Sequence, residues 1–137
     1  MSAIPAKTIM TKDVVAVPAA MPVKEVADLL SSRRISGAPV VDSDSHVLGV
    51  VSEYDIISRP GACAADIMSP QVISVSEETS AEEVRLLFVN QRIRRVPVLA
   101  DGRLVGIISR SDLIRPAYIA HLLPGDQNDI CMETDQA

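Results

Sequence analysis

Val14-Val15-Ala16-Val17 is an unbroken apolar run, mostly β-branched, and this pattern predicts a short strand over residues 14–17. The period then changes. Val23, Val26, Ala27 and Leu30 fall at i, i+3, i+4 and i+7, one face of a helix from Val23 to about Arg34. Pro22 suits the first position of that helix. Two apolar runs come next, at 38–41 and 47–51, separated by the polar turn 42–46, and Ser52 opens a last helix through Asp55, Ile56 and Ile57.

The whole succession then returns. Ile9-Met10 recurs as Ile67-Met68, the 14–17 run as Val72-Ile73-Ser74-Val75, and Arg34-Ile35 as Arg92-Ile93, each 58 residues on. Ala38-Pro39-Val40-Val41 returns as Val96-Pro97-Val98-Leu99 at the same spacing. Beyond it the spacing drops to 57, because the loop 42–46 is one residue longer than its counterpart. Gly49-Val50-Val51-Ser52 becomes Gly106-Ile107-Ile108-Ser109, and Asp55 becomes Asp112. One deletion, placed in a turn, aligns about fifty residues, so the chain is an internal repeat. In the second copy Thr79-Ser80-Ala81-Glu82 is a capping-box start, and Val84, Leu87 and Phe88 continue the apolar face. Each copy therefore predicts β-α-β-β-α. Residues 98–99 and 104–108 are apolar almost throughout, so both faces of those strands need cover, and two copies packed together supply it. The connection with Pro60 and Gly61 is too short to let the copies separate.

Composition narrows the function. The chain has 137 residues, 47% of them apolar but only 2% aromatic (Tyr54, Phe88 and Tyr118), so its core is aliphatic. A chain of this size buries roughly 68–70% of its unfolded surface and needs no disulfide or metal to hold it. So few aromatics also argue against a base-stacking platform for single-stranded nucleic acid. The net charge is −5, yet residues 124–137 hold Asp126, Asp129, Glu133 and Asp135 with no Lys or Arg. The remainder carries 14 acids against 13 bases, far from the basic face that duplex nucleic acid demands. The tail is expected to be solvated. Cys63 and Cys131 are isolated thiols, neither a disulfide framework nor a zinc site. Residues 1–10 lack the apolar stretch of a secretory signal and no run approaches 18 apolar residues, so a soluble cytoplasmic protein without membrane contact is expected.

The repeated residues resemble a tandem pair of CBS (cystathionine-β-synthase) domains, the unit called a Bateman module. Three elements carry the likeness, each present twice: Ile9-Met10 and Ile67-Met68, Ala38-Pro39-Val40 and Val96-Pro97-Val98, and the Gly-apolar-apolar-Ser-x-x-Asp endings at 49–55 and 106–112. The likeness covers residues 7–115. It implies an α/β (α+β-like) fold of two β-α-β-β-α repeats packed with pseudo-two-fold symmetry. Repeat one is set at 7–60, a linker at 61–64, repeat two at 65–120, and the acidic tail at 124–137.

The resemblance also implies a non-catalytic regulatory module that binds an adenosine-type ligand (AMP, ADP, ATP or S-adenosylmethionine) between the copies, with no catalytic cofactor and no metal. In that family each site mixes copies. Carried over, Ser52 and Asp55 face Ser69, Ile73, Arg94, Arg95, Val96 and Pro97. Ser109, Arg110 and Asp112 face Thr11, Val15, Ser36, Gly37, Ala38 and Pro39. The chemistry is reasonable in itself. A carboxylate accepts hydrogen bonds from both ribose hydroxyls, a helix start favours a phosphate, and aliphatic walls suit a flat adenine. Only the first set has cationic residues on the wall facing its Asp, so its cleft is expected to be the tighter one for a phosphorylated adenosine.

Plainer readings compete. The two Ser-x-x-Asp motifs also serve as helix caps, Pro39 and Pro97 as edge-strand markers, and Arg92 as a complement to a helix C-terminus. His46 in a turn and His121 near the last helix have no partners at metal spacing, and Cys63 is either an exposed thiol or a redox-responsive one. An enzyme finds no support, because neither a Ser-His-Asp or Cys-His set nor a Gly-rich phosphate loop is present. A ligand-free interaction scaffold is the main alternative, and nucleic-acid binding through residues 92–95 a weaker one. A homodimer through the helices at 23–34, 81–92 and those after Ser52 and Ser109 is expected, with an unknown protein downstream.

Overall fold

The computed structural model describes residues 4–116, 118 and 119; the 124–137 tail, His121 and Cys131 lie outside them. The first copy runs α1 (Ala6–Ile9), β1 (Val17–Pro18), α2 (Val23–Arg33), β2 (Gly37–Val41), β3 (Val47–Ser52) and α3 (Glu53–Ser58). The second repeats it as α4 (Ala64–Ile67), β4 (Val75–Ser76), α5 (Ala81–Gln91), β5 (Arg95–Ala100), β6 (Arg103–Ser109) and α6 (Arg110–Leu113). Each copy forms a three-stranded sheet in which the first strand lies parallel to the second and the second antiparallel to the third. This is the α/β arrangement the repeat implied.

The strand expected at 14–17 is much shorter than its β-branched run suggests. Only Val17 and Pro18 pair with β2, opposite Val40 and Val41. Val41 turns its carbonyl toward β1, accepting from the Ala19 N–H at 3.1 Å. Pro39, two residues earlier, faces the same way and has no N–H to give, so the ladder stops there. In the second copy, likewise, pairing begins only at Val75, and the next partner back would be Pro97. The run sets an extended backbone; proline decides where pairing begins.

A second difference is larger. The Ile-Met openings are single helical turns, α1 and α4, too short for periodicity to reveal, and each packs into the other copy. Ala6 and Ile9 lie in the core with Val84, Phe88, Val96, Val98 and Ile108 of the second copy. Ala64 and Ile67 lie with Val26, Leu30, Val40 and Val51 of the first. The backbone does the same. Thr11 exchanges two hydrogen bonds with Ile107 (2.8 and 2.9 Å), and Ser69 exchanges two with Val50 (2.8 and 2.9 Å).

Gly49 and Gly106 allow this close approach. A Cβ on Gly49 would stand 2.5 Å from the Ser69 carbonyl oxygen and 2.7 Å from the Met68 sulfur, and one on Gly106 would collide with the Met10 side chain. The glycine of each Gly-apolar-apolar-Ser-x-x-Asp ending is thus a slot for the opposite copy. The two hairpin turns also touch, with His46 bridging to Arg103. Among the described residues no helix is long and apolar enough to cross a membrane.

Candidate functional site

Ser52 and Ser109 end β3 and β6 in extended backbone and start α3 and α6, which is why each motif doubles as a capping box. Asp55 Oδ2 accepts from the Ser52 N–H (2.9 Å) and from Ser52 Oγ (3.0 Å). Asp112 Oδ2 accepts from the Ser109 N–H (2.8 Å) and from Ser109 Oγ (3.2 Å). The cap consumes one carboxylate oxygen, holds a buried carboxylate in one rotamer, and leaves Oδ1 to be used elsewhere.

What Oδ1 meets differs between the copies. Asp55 Oδ1 stands 3.7 Å from Arg59 Nε and accepts no side-chain hydrogen bond from the described residues. Asp55 lines a cleft of about 440 Å3 built from both copies. Pro39, Val50, Ser52, Asp55 and Arg59 come from the first. Ser69, Gln71 and Ile73 enter from the segment before β4, and Ile93, Arg94, Arg95, Pro97 and Ile107 complete the far wall. Asp112 Oδ1 is already engaged, accepting from Thr11 Oγ1 (3.1 Å) and from Arg115 Nη2 (2.6 Å).

Of the residues expected around Asp55, the structure brings together Ser52, Ser69, Ile73, Arg94, Arg95 and Pro97. Val96 is a correction. Successive side chains on a strand point to opposite faces, so Arg95 and Pro97 face the cleft while Val96 is fully buried in the second core. Pro39, assigned to the second site, lines the first instead.

Of the other set, Thr11, Ser109 and Asp112 meet directly. Ser36 accepts a 2.6 Å bond from Arg95 Nη2, and a Cβ on Gly37 would stand 3.0 Å from Arg95 Nη1. Ala38 packs into the first core, and Arg110 lies in an outer groove with Phe88 and Val89; neither side chain is placed at Asp112 as expected. Val15 is half-buried and does not line the Asp55 cleft.

Sequence reasoning missed Arg59, Gln71, Val50, Ile93 and Ile107. Three of these had a signal. Val50 pairs with Pro39 and Ile107 with Pro97, so closing each hairpin on its turn puts an aliphatic side chain opposite each proline. Arg59 lies one helical turn after Asp55. Gln71 and Ile93 depend on how the copies meet.

The first cleft gathers three arginines against one aspartate. Burial, and then the neighbouring Arg94 charge, hold the Arg95 guanidinium below the usual arginine range. An anion relieves such a like-charged pair, a half-buried Arg95 beside an exposed Arg94. The turn 42–46 is separate. It brings Asp42, Asp44 and His46 within 4.8 Å, closer than the sequence suggested. Asp42 accepts from the Asp44 and His46 N–H groups, an Asx turn, and the His46 amide holds its carboxylate below the usual range.

With this geometry in place, the sequence can be set against known families. The CBS domain model matches residues 6–61 and again 64–117. The chain belongs to the CBS domain family. As a CBS pair it is 30% identical to the chloroplastic CBS domain-containing protein CBSX1 of Arabidopsis thaliana over 130 aligned positions, covering 69% of this chain and 55% of that one. It thus spans about half the length of this curated relative. The crystal structure of CBSX2 in complex with AMP superimposes at a TM-score of 0.79, with 28% identity and coverage of 86% and 98% of the two chains. The CBS domain pair of protein MJ0100, in complex with 5′-methylthioadenosine and S-adenosyl-L-methionine, gives a TM-score of 0.72 at 25% identity, covering 88% and 96%.

Proposed function

We propose that this CBS pair is a non-catalytic regulatory module that binds a phosphorylated adenosine in the Asp55 cleft. One observation carries the reading: Asp55, whose Oδ1 accepts no side-chain hydrogen bond from the described residues and is paired only with Arg59 at 3.7 Å, lines with Arg94 and Arg95 a cleft of about 440 Å3, inside the roughly 300–1,000 Å3 usual for small-molecule sites. Asp55 accepts the ribose hydroxyls, the two arginines take the phosphate, and the adenine lies between Pro39, Pro97 and the aliphatic walls. CBSX2 with AMP supports the ligand class.

The Asp112 side works differently. Thr11 and Arg115 occupy its carboxylate, so a ribose there must displace a charge-assisted bond. It is the weaker site, suited to a less anionic ligand, as 5′-methylthioadenosine and S-adenosyl-L-methionine are in the MJ0100 pair. Occupancy is passed on by a homodimer whose helical faces include the exposed Ile57, Val89 and Ile114, to a protein partner outside this chain.

A thermal-shift panel of AMP, ADP, ATP, guanine nucleotides and S-adenosylmethionine tests this. Saturation at a hundredfold above Kd adds about 2.7 kcal/mol of stability. No shift with any adenosine compound at millimolar concentration overturns the proposal in favour of the ligand-free scaffold.

A further inference from the structure

The last helix of each copy is followed by an arginine that stands directly before a proline, Arg59-Pro60 and Arg115-Pro116. The copies differ by one residue in how far that arginine lies from the aspartate. It is four places after Asp55 but three after Asp112. A proline disfavours helical backbone in the residue before it. Arg59 accordingly ends α3 in extended backbone, at φ −118° and ψ 132°.

The difference in spacing accompanies a difference in grip. Arg115 Nη2 donates to Asp112 Oδ1 at 2.6 Å. Arg59 donates instead from Nη1 to the Met68 carbonyl at 3.1 Å, and its Nε stays 3.7 Å from Asp55 Oδ1, beyond hydrogen-bond reach. Met68 caps α4, whose Ile67 lies in the first core, so packing between the copies fixes that carbonyl. The shorter spacing closes elsewhere in this chain too: on α5, Arg85 grips Glu82, three residues back, at 2.6 Å.

We propose that the spacing between aspartate and arginine decides which of the two carboxylates can take a ribose. At three residues the arginine closes on the carboxylate. At four it is drawn off to the Met68 carbonyl, and Oδ1 is left without a charge-assisted hydrogen bond. Arg59 and Arg115 are then positioning residues, which set ligand preference through Asp55 and Asp112. The inference rests on the nucleotide reading of the Asp55 cleft and adds to it the reason two equivalent capping boxes differ.

Moving the arginine in the full chain tests it. Ser58→Arg/Arg59→Ser places the guanidinium three residues after Asp55, at two exposed positions where exchange is usually tolerated. Calorimetry should show AMP weakened roughly tenfold or more, the worth of one charge-assisted bond, at an unchanged melting temperature. Arg59→Ala, which removes the arginine without relocating it, should not weaken AMP. With 2′,3′-dideoxy-AMP, which offers Asp55 no ribose hydroxyl, the relocated and unaltered proteins should bind alike, whereas a merely structural defect would weaken both ligands. In the other copy, Arg115→Ala should tighten the second binding phase, and Arg115→Ala/Asp112→Ala should abolish it. The inference is overturned if relocation leaves AMP unchanged while Asp55→Ala abolishes its binding, or if Arg115→Ala leaves the second site no tighter. It is equally overturned if Arg59→Ala weakens AMP as much as relocation does, which would make Arg59 a ligand contact. Failure of AMP to bind the unaltered protein would instead overturn the nucleotide reading itself, and this inference with it.

Discussion

Arg95 reaches across the repeat boundary and donates a 2.6 Å hydrogen bond from Nη2 to Ser36 Oγ, 59 residues earlier. The same guanidinium lines the Asp55 cleft. Ser36 stands in the wall expected to face Asp112, so one side chain links that wall to the Asp55 cleft. A phosphate in the first cleft competes with Ser36 for Arg95. We therefore expect Ser36→Ala to tighten AMP binding by roughly two- to tenfold, about 0.5–1.5 kcal/mol, because one N–H of the charged guanidinium no longer has to leave a protein partner. Calorimetry that shows weaker binding in Ser36→Ala would mean that Ser36 holds Arg95 in its productive pose.

The two aspartates should separate cleanly. Charge-assisted bonds are worth about 1.5–3 kcal/mol, so Arg95→Ala is expected to weaken AMP roughly ten- to a hundredfold. Asp55→Ala should remove the tight phase and Asp112→Ala spare it. Titration calorimetry with AMP and with ATP decides, and the assignment is wrong if loss of the tight phase accompanies Asp112→Ala while Asp55→Ala retains it.

Gly49 is expected to matter for stability before it matters for binding. Its missing Cβ admits the Ser69 carbonyl and the Met68 side chain. Gly49→Ala forces the second copy's opening turn off β3, an overpacking cost of about 1–3 kcal/mol. Chemical denaturation measures it. An unchanged midpoint would show that the turn can shift freely.

Asp66 gives a pH test. Its carboxylate accepts from the Ala62 and Cys63 N–H groups at 2.9 and 3.2 Å, and these bonds lower it from the ordinary 3.8. A carboxylate lowered in the folded state stabilises above its unfolded value and ceases to do so as pH falls through the folded one. Asp66→Ala should thus have the lower Tm at neutral pH, with the gap to the unaltered protein closing in acid. A gap that persists well below pH 3.8 would assign the loss to packing instead.

Assembly is the remaining expectation. Ile57, Val89 and Ile114 are the most exposed aliphatic side chains on the helical faces. Light scattering of the full chain at tens of micromolar should give a dimer mass, and a monomer mass both with and without nucleotide would remove the homodimer from the account.

Much of this protein is legible in the linear sequence, because repetition and periodicity are local properties. The spacing of 58 and then 57 residues located both copies, and the period of Val23, Val26 and Leu30 gave α2 its buried face. Ser52 and Asp55 could be named because a capping box is a matter of three residues along the chain. The tertiary structure decided the rest. Nothing local told that α1 would leave its own copy for the other's core, since four residues carry no readable period. Nor could spacing show that Asp112 would spend its second oxygen on hydrogen bonds from Thr11 and Arg115 while that of Asp55 kept only a 3.7 Å ion pair with Arg59. Two nearly identical motifs came to rest in two different environments because hydrogen-bond partners arrive through space, from a copy whose placement is fixed by burial and by glycine slots.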